Sequence, residues 1–101
     1  MINKIIKIAR GLTKKHPKGN TSFQIITRLA EECGELAKQV NHFENSGIKR
    51  EKYGAPQKQK MAKEVQDVIR SALQIAQYYG IEKDLKKSIN KSYKKLYGKS
   101  S

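Results

Sequence analysis

Carboxylates are scarce in this chain, nine Asp and Glu against 22 Lys and Arg, yet five of the nine fall in two short words, Glu31-Glu32-x-x-Glu35 and Glu64-x-x-Asp67. Each word sits inside an apolar-periodic stretch that reads as helix. At about 100° per residue, carboxylates three positions apart share one side of a helix, a turn from each other. By the same arithmetic Glu32 stands about 80° from the centre of its helix's apolar stripe and Glu64 about 90° from that of its own, both on the shoulders of core faces. If the two helices pack antiparallel, the pairs face one another across a cleft. Carboxylates gathered so closely repel unless something cancels their charge, and a hard divalent cation does. Mg²⁺ takes oxygen ligands and keeps several waters, which leaves positions for phosphate oxygens and an attacking water. Zinc is poorly suited, because the chain has no Cys/His cluster and His16 and His42 are isolated. Lys60 and Lys63, four residues before Glu64 and Asp67, explain part of the pattern as surface ion pairs worth about 0.3–0.5 kcal/mol each. They do not explain Glu31 and Glu35, like charges at that same spacing.

Four helices must position these acids, and no segment shows the strict alternation of a strand. The first is expected over about Ile2 to Lys15, with Ile5, Ile8, Ala9 and Leu12 on its inner face, ending at the turn-forming His16-Pro17-Lys18-Gly19-Asn20. The second starts after a Thr21 or Ser22 cap and runs to about Asn45, with Gly47 as its stop. Its expected core stripe is Phe23, Ile26, Ala30, Cys33, Ala37 and Val40, shouldered by Leu29, Leu36 and Phe43. Residues 47 to 56 read as a connecting loop. The third helix spans about Gln57 to Tyr79, burying Met61, Val65, Val68, Ile69, Ala72, Ala76 and Tyr79. The fourth, about Glu82 to Tyr97, carries Leu85, Ile89, Tyr93 and Leu96 on one side and lysines off it. Gly98 ends it, and Lys99 to Ser101 should fray. The expectation is one all-α domain over residues 1–101, a compact bundle of about four helices with its site between helices two and three.

Composition narrows the partners. A formal charge of +13 favours anionic ones. The first ten residues alternate Ile with Lys and Arg, which offers neither a secretory core nor a membrane span, so a soluble, cytoplasmic protein with no membrane partner is expected. The lone Cys33 has no internal disulfide partner and reads as a small core residue.

With Leu29-Ala30-Glu31-Glu32-Cys33-Gly34-Glu35-Leu36-Ala37 and Glu64-Val65-Gln66-Asp67-Val68-Ile69, the chain resembles the MazG-like group of all-α nucleoside triphosphate pyrophosphohydrolases, acids and flanking apolar residues together, over roughly residues 16 to 97. The resemblance implies Mg²⁺ as cofactor, with Mn²⁺ as a substitute, and hydrolysis of a nucleoside triphosphate to its monophosphate and pyrophosphate. It implies Glu32, Glu35, Glu64 and Asp67 as metal ligands and Glu31 as a further ligand or water-orienting base. It further implies a homodimer or homotetramer, and a house-cleaning role in the nucleotide pool. The 28-residue spacer between Glu35 and Glu64 is long for the group, and the group's Lys/Asn/Arg element on the last helix is matched only in part, by Lys87, Asn90, Lys91 and Lys94.

The mechanism expected is metal-assisted hydrolysis, with Glu31 or Glu35 accepting the proton of the attacking water. Lys18, Asn90, Lys91 and Lys94 are the candidate substrate contacts, through phosphate. The alternative is a non-enzymatic basic helical module that binds nucleic acid, supported by the charge and the last helix. It lacks the short Gly-centred turn of a helix-turn-helix and any clear stacking aromatics.

Overall fold

Local punctuation decides where the helices begin and end. The computed structural model describes residues 2–44 and 51–98, and among them lie α1 (Ile2–Lys15), α2 (Ser22–Glu44), α3 (Lys58–Tyr78) and α4 (Glu82–Tyr97). Residues 51–53 are also helical, and no described residue is in a strand, so the protein is all-α. The expected loop over 47 to 56 is therefore partly helical. Its first residues, the Gly47 stop, Asn45, and the fraying end at Lys99 to Ser101 lie outside the described residues.

Thr21 caps α2 in a reciprocal box. The Gln24 amide donates to Thr21 Oγ1 at 3.3 Å while the Thr21 amide donates to Gln24 Oε1 at 3.1 Å. Gly80, at φ 66°, ends α3 in the left-handed conformation that glycine adopts without a Cβ penalty. This lets the Ile81 amide reach back to the Ala76 carbonyl at 2.9 Å and the Gly80 amide to Gln77 at 3.2 Å, the paired bonds of a Schellman end.

α3 is the central element: α2 and α1 both pack against it, and α4 touches it least. Ile6 and Ala9 of α1 and Leu73 of α3 form a small buried cluster, with Ile5 and Leu85 partly buried against it. Arg10 ties α1 to α4 by donating to both carboxylate oxygens of Glu82 at 2.9 Å.

The packing faces differ from those expected. On α2 the inward residues are Ile25, Leu29, Glu32, Leu36, Gln39 and Phe43, spaced 4, 3, 4, 3, 4, whereas Phe23, Ile26, Ala30, Cys33, Ala37 and Val40 are exposed. Both sets follow heptad spacing, about 100° apart on the helix. α3 rests on the one taken as the shoulder, which leaves Cys33 exposed rather than in the core. On α1, Ile6 is buried and Ile8 exposed; on α3, Ser71, Leu73, Gln74 and Ala76 are buried while Val65, Ile69, Ala72 and Tyr79 are exposed. On α4, Ile89, Tyr93 and Leu96 are exposed, since only its first turns touch the rest. No described helix is long and apolar enough to cross a membrane.

Candidate functional site

Because α2 packs on what looked like its shoulder, Glu32 does not flank the α2–α3 seam but lies in it. Arg28 shares a cleft with Arg70 and Gln74, while His42 shares another with Gln57 and Lys60, so α2 and α3 run antiparallel. That arrangement sets Glu32 against Glu64 and Asp67. One carboxylate oxygen from each lies within 4.8 Å of the others, and all three residues are half-buried. Mg²⁺ brings neighbouring oxygen ligands to about 3 Å from each other, so donors up to 4.8 Å apart would have to close by as much as about 2 Å to hold one.

The trio is electrostatically strained as it stands. Burial, then the charges of Asp67, Glu32 and Glu35, push the Glu64 carboxyl above the usual glutamate range, with Lys63 opposing. Glu64 Oε2 is shut away from solvent without a hydrogen-bond partner. A half-buried carboxylate with one orphaned oxygen, gathered with two other hard oxygen donors, suits a divalent cation, and these three residues could hold one.

Partial compensation comes from two cations. Lys63 Nζ meets Asp67 Oδ1 at 2.7 Å. Arg70, whose side chain is only 12% exposed, places Nη2 3.6 Å from Asp67 and 3.9 Å from Glu32. Arg70 is itself oriented from α1: its Nη1 donates to Gln74 Oε1 at 3.2 Å, and Gln74 Nε2 donates to Thr13 Oγ1 at 3.0 Å and the Ala9 carbonyl at 3.4 Å. The third helix thus carries a buried amide that registers the acidic seam against α1.

The other residues singled out from sequence are distributed around this centre. Glu35 is exposed, bridged to Lys38 at 3.4 Å, and close enough for its charge to act on Glu64. It lines the cleft that holds Gln39, His42, Tyr53, Ala55, Gln57 and Lys60. Glu31 is exposed on a shallow cleft beside Phe23, Gln24, Thr27 and Arg28, outside the gathered trio. Lys18 lines a cleft that reaches the trio through Arg70. Asn90, Lys91 and Lys94 are exposed on α4, which makes no close backbone approach to α2; the chain does not bring them to the acids. Arg28, Arg70 and Gln74 were missed from sequence. Arg70 had a signal, lying three residues after Asp67 on the same helix. Gln74 had none.

The family model for the MazG nucleotide pyrophosphohydrolase domain matches residues 20–100, which contain both acidic words and all three converging carboxylates. No curated protein and no solved structure gave a significant match.

Proposed function

The chain belongs to the MazG nucleotide pyrophosphohydrolase family, and from that premise we propose that it hydrolyses a nucleoside triphosphate to the monophosphate and pyrophosphate, with Mg²⁺ held by Glu32, Glu64 and Asp67. The convergence of those three carboxylates across the α2–α3 seam is the observation that carries the proposal. Bound there, Mg²⁺, or Mn²⁺ in its place, supplies charge neutralisation for the triphosphate and for its leaving pyrophosphate.

The chain's own residues divide the remaining work. Glu35 lies one turn along α2 from Glu31 and is the better placed to accept a proton, because its charge reaches Glu64 while Glu31 faces the outer cleft. Glu35 lies outside the converging trio and pairs with Lys38, so it would add a fourth ligand only by leaving that lysine. Arg70 holds Glu32 and Asp67 in position, and Lys18 offers a phosphate contact from the 16–21 turn. Asn90, Lys91 and Lys94 would reach a substrate only from another copy of the chain. Such an assembly, a homodimer as the smallest unit, is supported by the exposed seam of α2, which leaves Phe23 82% exposed. Nucleotide-pool house-cleaning is the role this chemistry serves.

The test is a panel of nucleoside triphosphates incubated with Mg²⁺, reading pyrophosphate against orthophosphate. Pyrophosphate release abolished by EDTA is expected; orthophosphate alone, or no turnover with Mg²⁺ or Mn²⁺, sinks the proposal. The nucleic-acid alternative retains one supporting observation, the exposed lysines of α4. It would gain ground if turnover failed and a duplex oligonucleotide bound with a steep salt dependence.

A further inference from the structure

We propose that the cleft between the end of α1, the 16–21 turn, α2 and α3 is the seat of the β- and γ-phosphates, and that pyrophosphate leaves through it. This rests on the triphosphate hydrolysis proposed above. The cleft measures about 320 Å³ and is lined by Leu12, His16, Lys18, Arg28, Arg70 and Gln74. Three of those six are cations and none is a carboxylate; Arg70 is partly offset by Asp67 and Glu32 behind it, while Lys18 and Arg28 have no carboxylate in the lining, so the wall is net positive.

The two arginines are held in place yet retain free donors. Arg70 approaches Asp67 and Glu32 at 3.6 and 3.9 Å, beyond ordinary hydrogen-bond length, so neither carboxylate engages its fork fully. Arg28, half-buried, donates to the Gly19 carbonyl and to Asn20 Oδ1, pinning the turn to α2. Asn20 in turn donates to the His16 carbonyl, which closes the turn on itself. Gly19, at φ 78°, gives the chain the left-handed bend this needs. Lys18 and His16 are thereby kept at the mouth of the cleft. A planar guanidinium fork matches two phosphate oxygens at once, whereas a lysine supplies a point charge.

Position then orders the substrate. Arg28 lies one helical turn, about 6 Å, on the N-terminal side of Glu32 along α2. The cleft on the opposite side of Glu32 holds two lysines, Lys38 and Lys60, but also the carboxylate of Glu35, 3.4 Å from Lys38, so its lining is less cationic and less suited to two further phosphates. With β and γ in the cationic cleft, the α-phosphorus falls over Glu32, Glu64 and Asp67 and the nucleoside extends toward His42. Water oxygen then bonds to the α-phosphorus, and the bond from that phosphorus to the α,β-bridging oxygen breaks. The bond's electron pair leaves with pyrophosphate, and the water proton passes to the Glu35 carboxylate. The direction in which the triphosphate lies is what makes pyrophosphate, rather than orthophosphate, the leaving group.

Titration calorimetry of the full chain with sodium pyrophosphate, with and without Mg²⁺, tests this without requiring turnover. Lys18→Gln and Arg28→Gln should each weaken binding by roughly tenfold, the loss of one charge-assisted hydrogen bond. Arg28→Lys should fall between Arg28→Gln and wild type, and Lys4→Gln and Lys86→Gln, remote exposed lysines of α1 and α4, should bind as wild type does. Since Arg28 also fastens the turn, Lys18→Gln carries the test if Arg28→Gln fails to fold. Unchanged affinity in Lys18→Gln, no binding by wild type, or equal losses in Lys4→Gln and Lys86→Gln would each overturn the cleft assignment. If the first occurs while the panel still yields pyrophosphate, the hydrolysis stands and only the clamp is lost. The converse, an affinity that depends on Lys18 and Arg28 with no triphosphate turned over, keeps the cleft and removes the hydrolase.

Discussion

Glu64 concentrates the electrostatic cost of the site. Its carboxyl is pushed upward by burial first and by Asp67, Glu32 and Glu35 after it, and one of its oxygens has no partner. The folded protein therefore holds this proton more tightly than the unfolded chain does. Glu64's own contribution to stability in EDTA is then greatest below the usual glutamate pKa, about 4.3, and declines as pH rises through the raised value. Glu64→Gln should flatten that decline and melt above wild type in EDTA at pH 7, whereas millimolar Mg²⁺ should raise the wild-type Tm more than the variant's, beyond matched NaCl. Thermal melts of both proteins over pH 4 to 8 read both effects, and a Tm difference between Glu64→Gln and wild type that stays the same from pH 4.5 to pH 7 would count against the strain. The same chemistry predicts a kinetic penalty: Glu32→Gln, Glu64→Gln and Asp67→Asn should each lower kcat by about a hundredfold or more. Exposed Lys87→Ala should stay within a few-fold in the same steady-state assay.

Helix ends were legible in the sequence and helix faces were not. α1 and α4 begin and end where expected, and α3 differs by one residue at each end, because caps and stops such as Thr21, Gly80 and Gly98 act through bonds a few residues long. Which face of α2 meets α3 is decided between elements. The helix offers two heptad seams about 100° apart, and the one with more apolar residues is left outward; the seam used contains Glu32 and Gln39. Acids inside a packing seam look unfavourable on a helical wheel, and become intelligible only when the opposing helix brings Glu64, Asp67 and Arg70. The carboxylates themselves could be picked from sequence because they are rare in a basic chain. Gln74 could not, since its value lies in joining Arg70 to α1 across 61 to 65 positions. Gln74→Leu should cost about 1–3 kcal/mol by stranding those partners, measurable as a lower urea midpoint, and should raise KM or lower kcat through a displaced Arg70. A variant as stable and active as wild type would show the relay to be incidental.

The molecule as a whole is broader and thinner than a chain of its length needs to be. Its radius of gyration is 16.6 Å, against about 13 Å for a compact 100-residue domain. Its accessible surface of 8034 Å² compares with roughly 5,800 Å² for a folded protein of this mass. The surplus includes the outward seam of α2, where an antiparallel pair of copies would set Phe23 of one against Val40 of the other, Ile26 against Ala37, and Ala30 against Cys33. α2 is also the one long helix with more acids than bases, four Glu against Arg28 and Lys38, so two strongly basic chains repel least when they meet there. Ala37→Glu should therefore shift the sedimentation mass from dimer to monomer and remove the concentration dependence of Tm, while a wild type that sediments as a monomer at all concentrations would exclude the assembly. Every one of these features matters to function only if water attacks the α-phosphorus over the three converging acids. Hydrolysis of a nucleoside triphosphate in ¹⁸O-labelled water with Mg²⁺, followed by mass spectrometry of both products, reads that directly. The label should appear in the nucleoside monophosphate and be absent from pyrophosphate; label in pyrophosphate or in orthophosphate would place the attack elsewhere and contradict the assignment of the site.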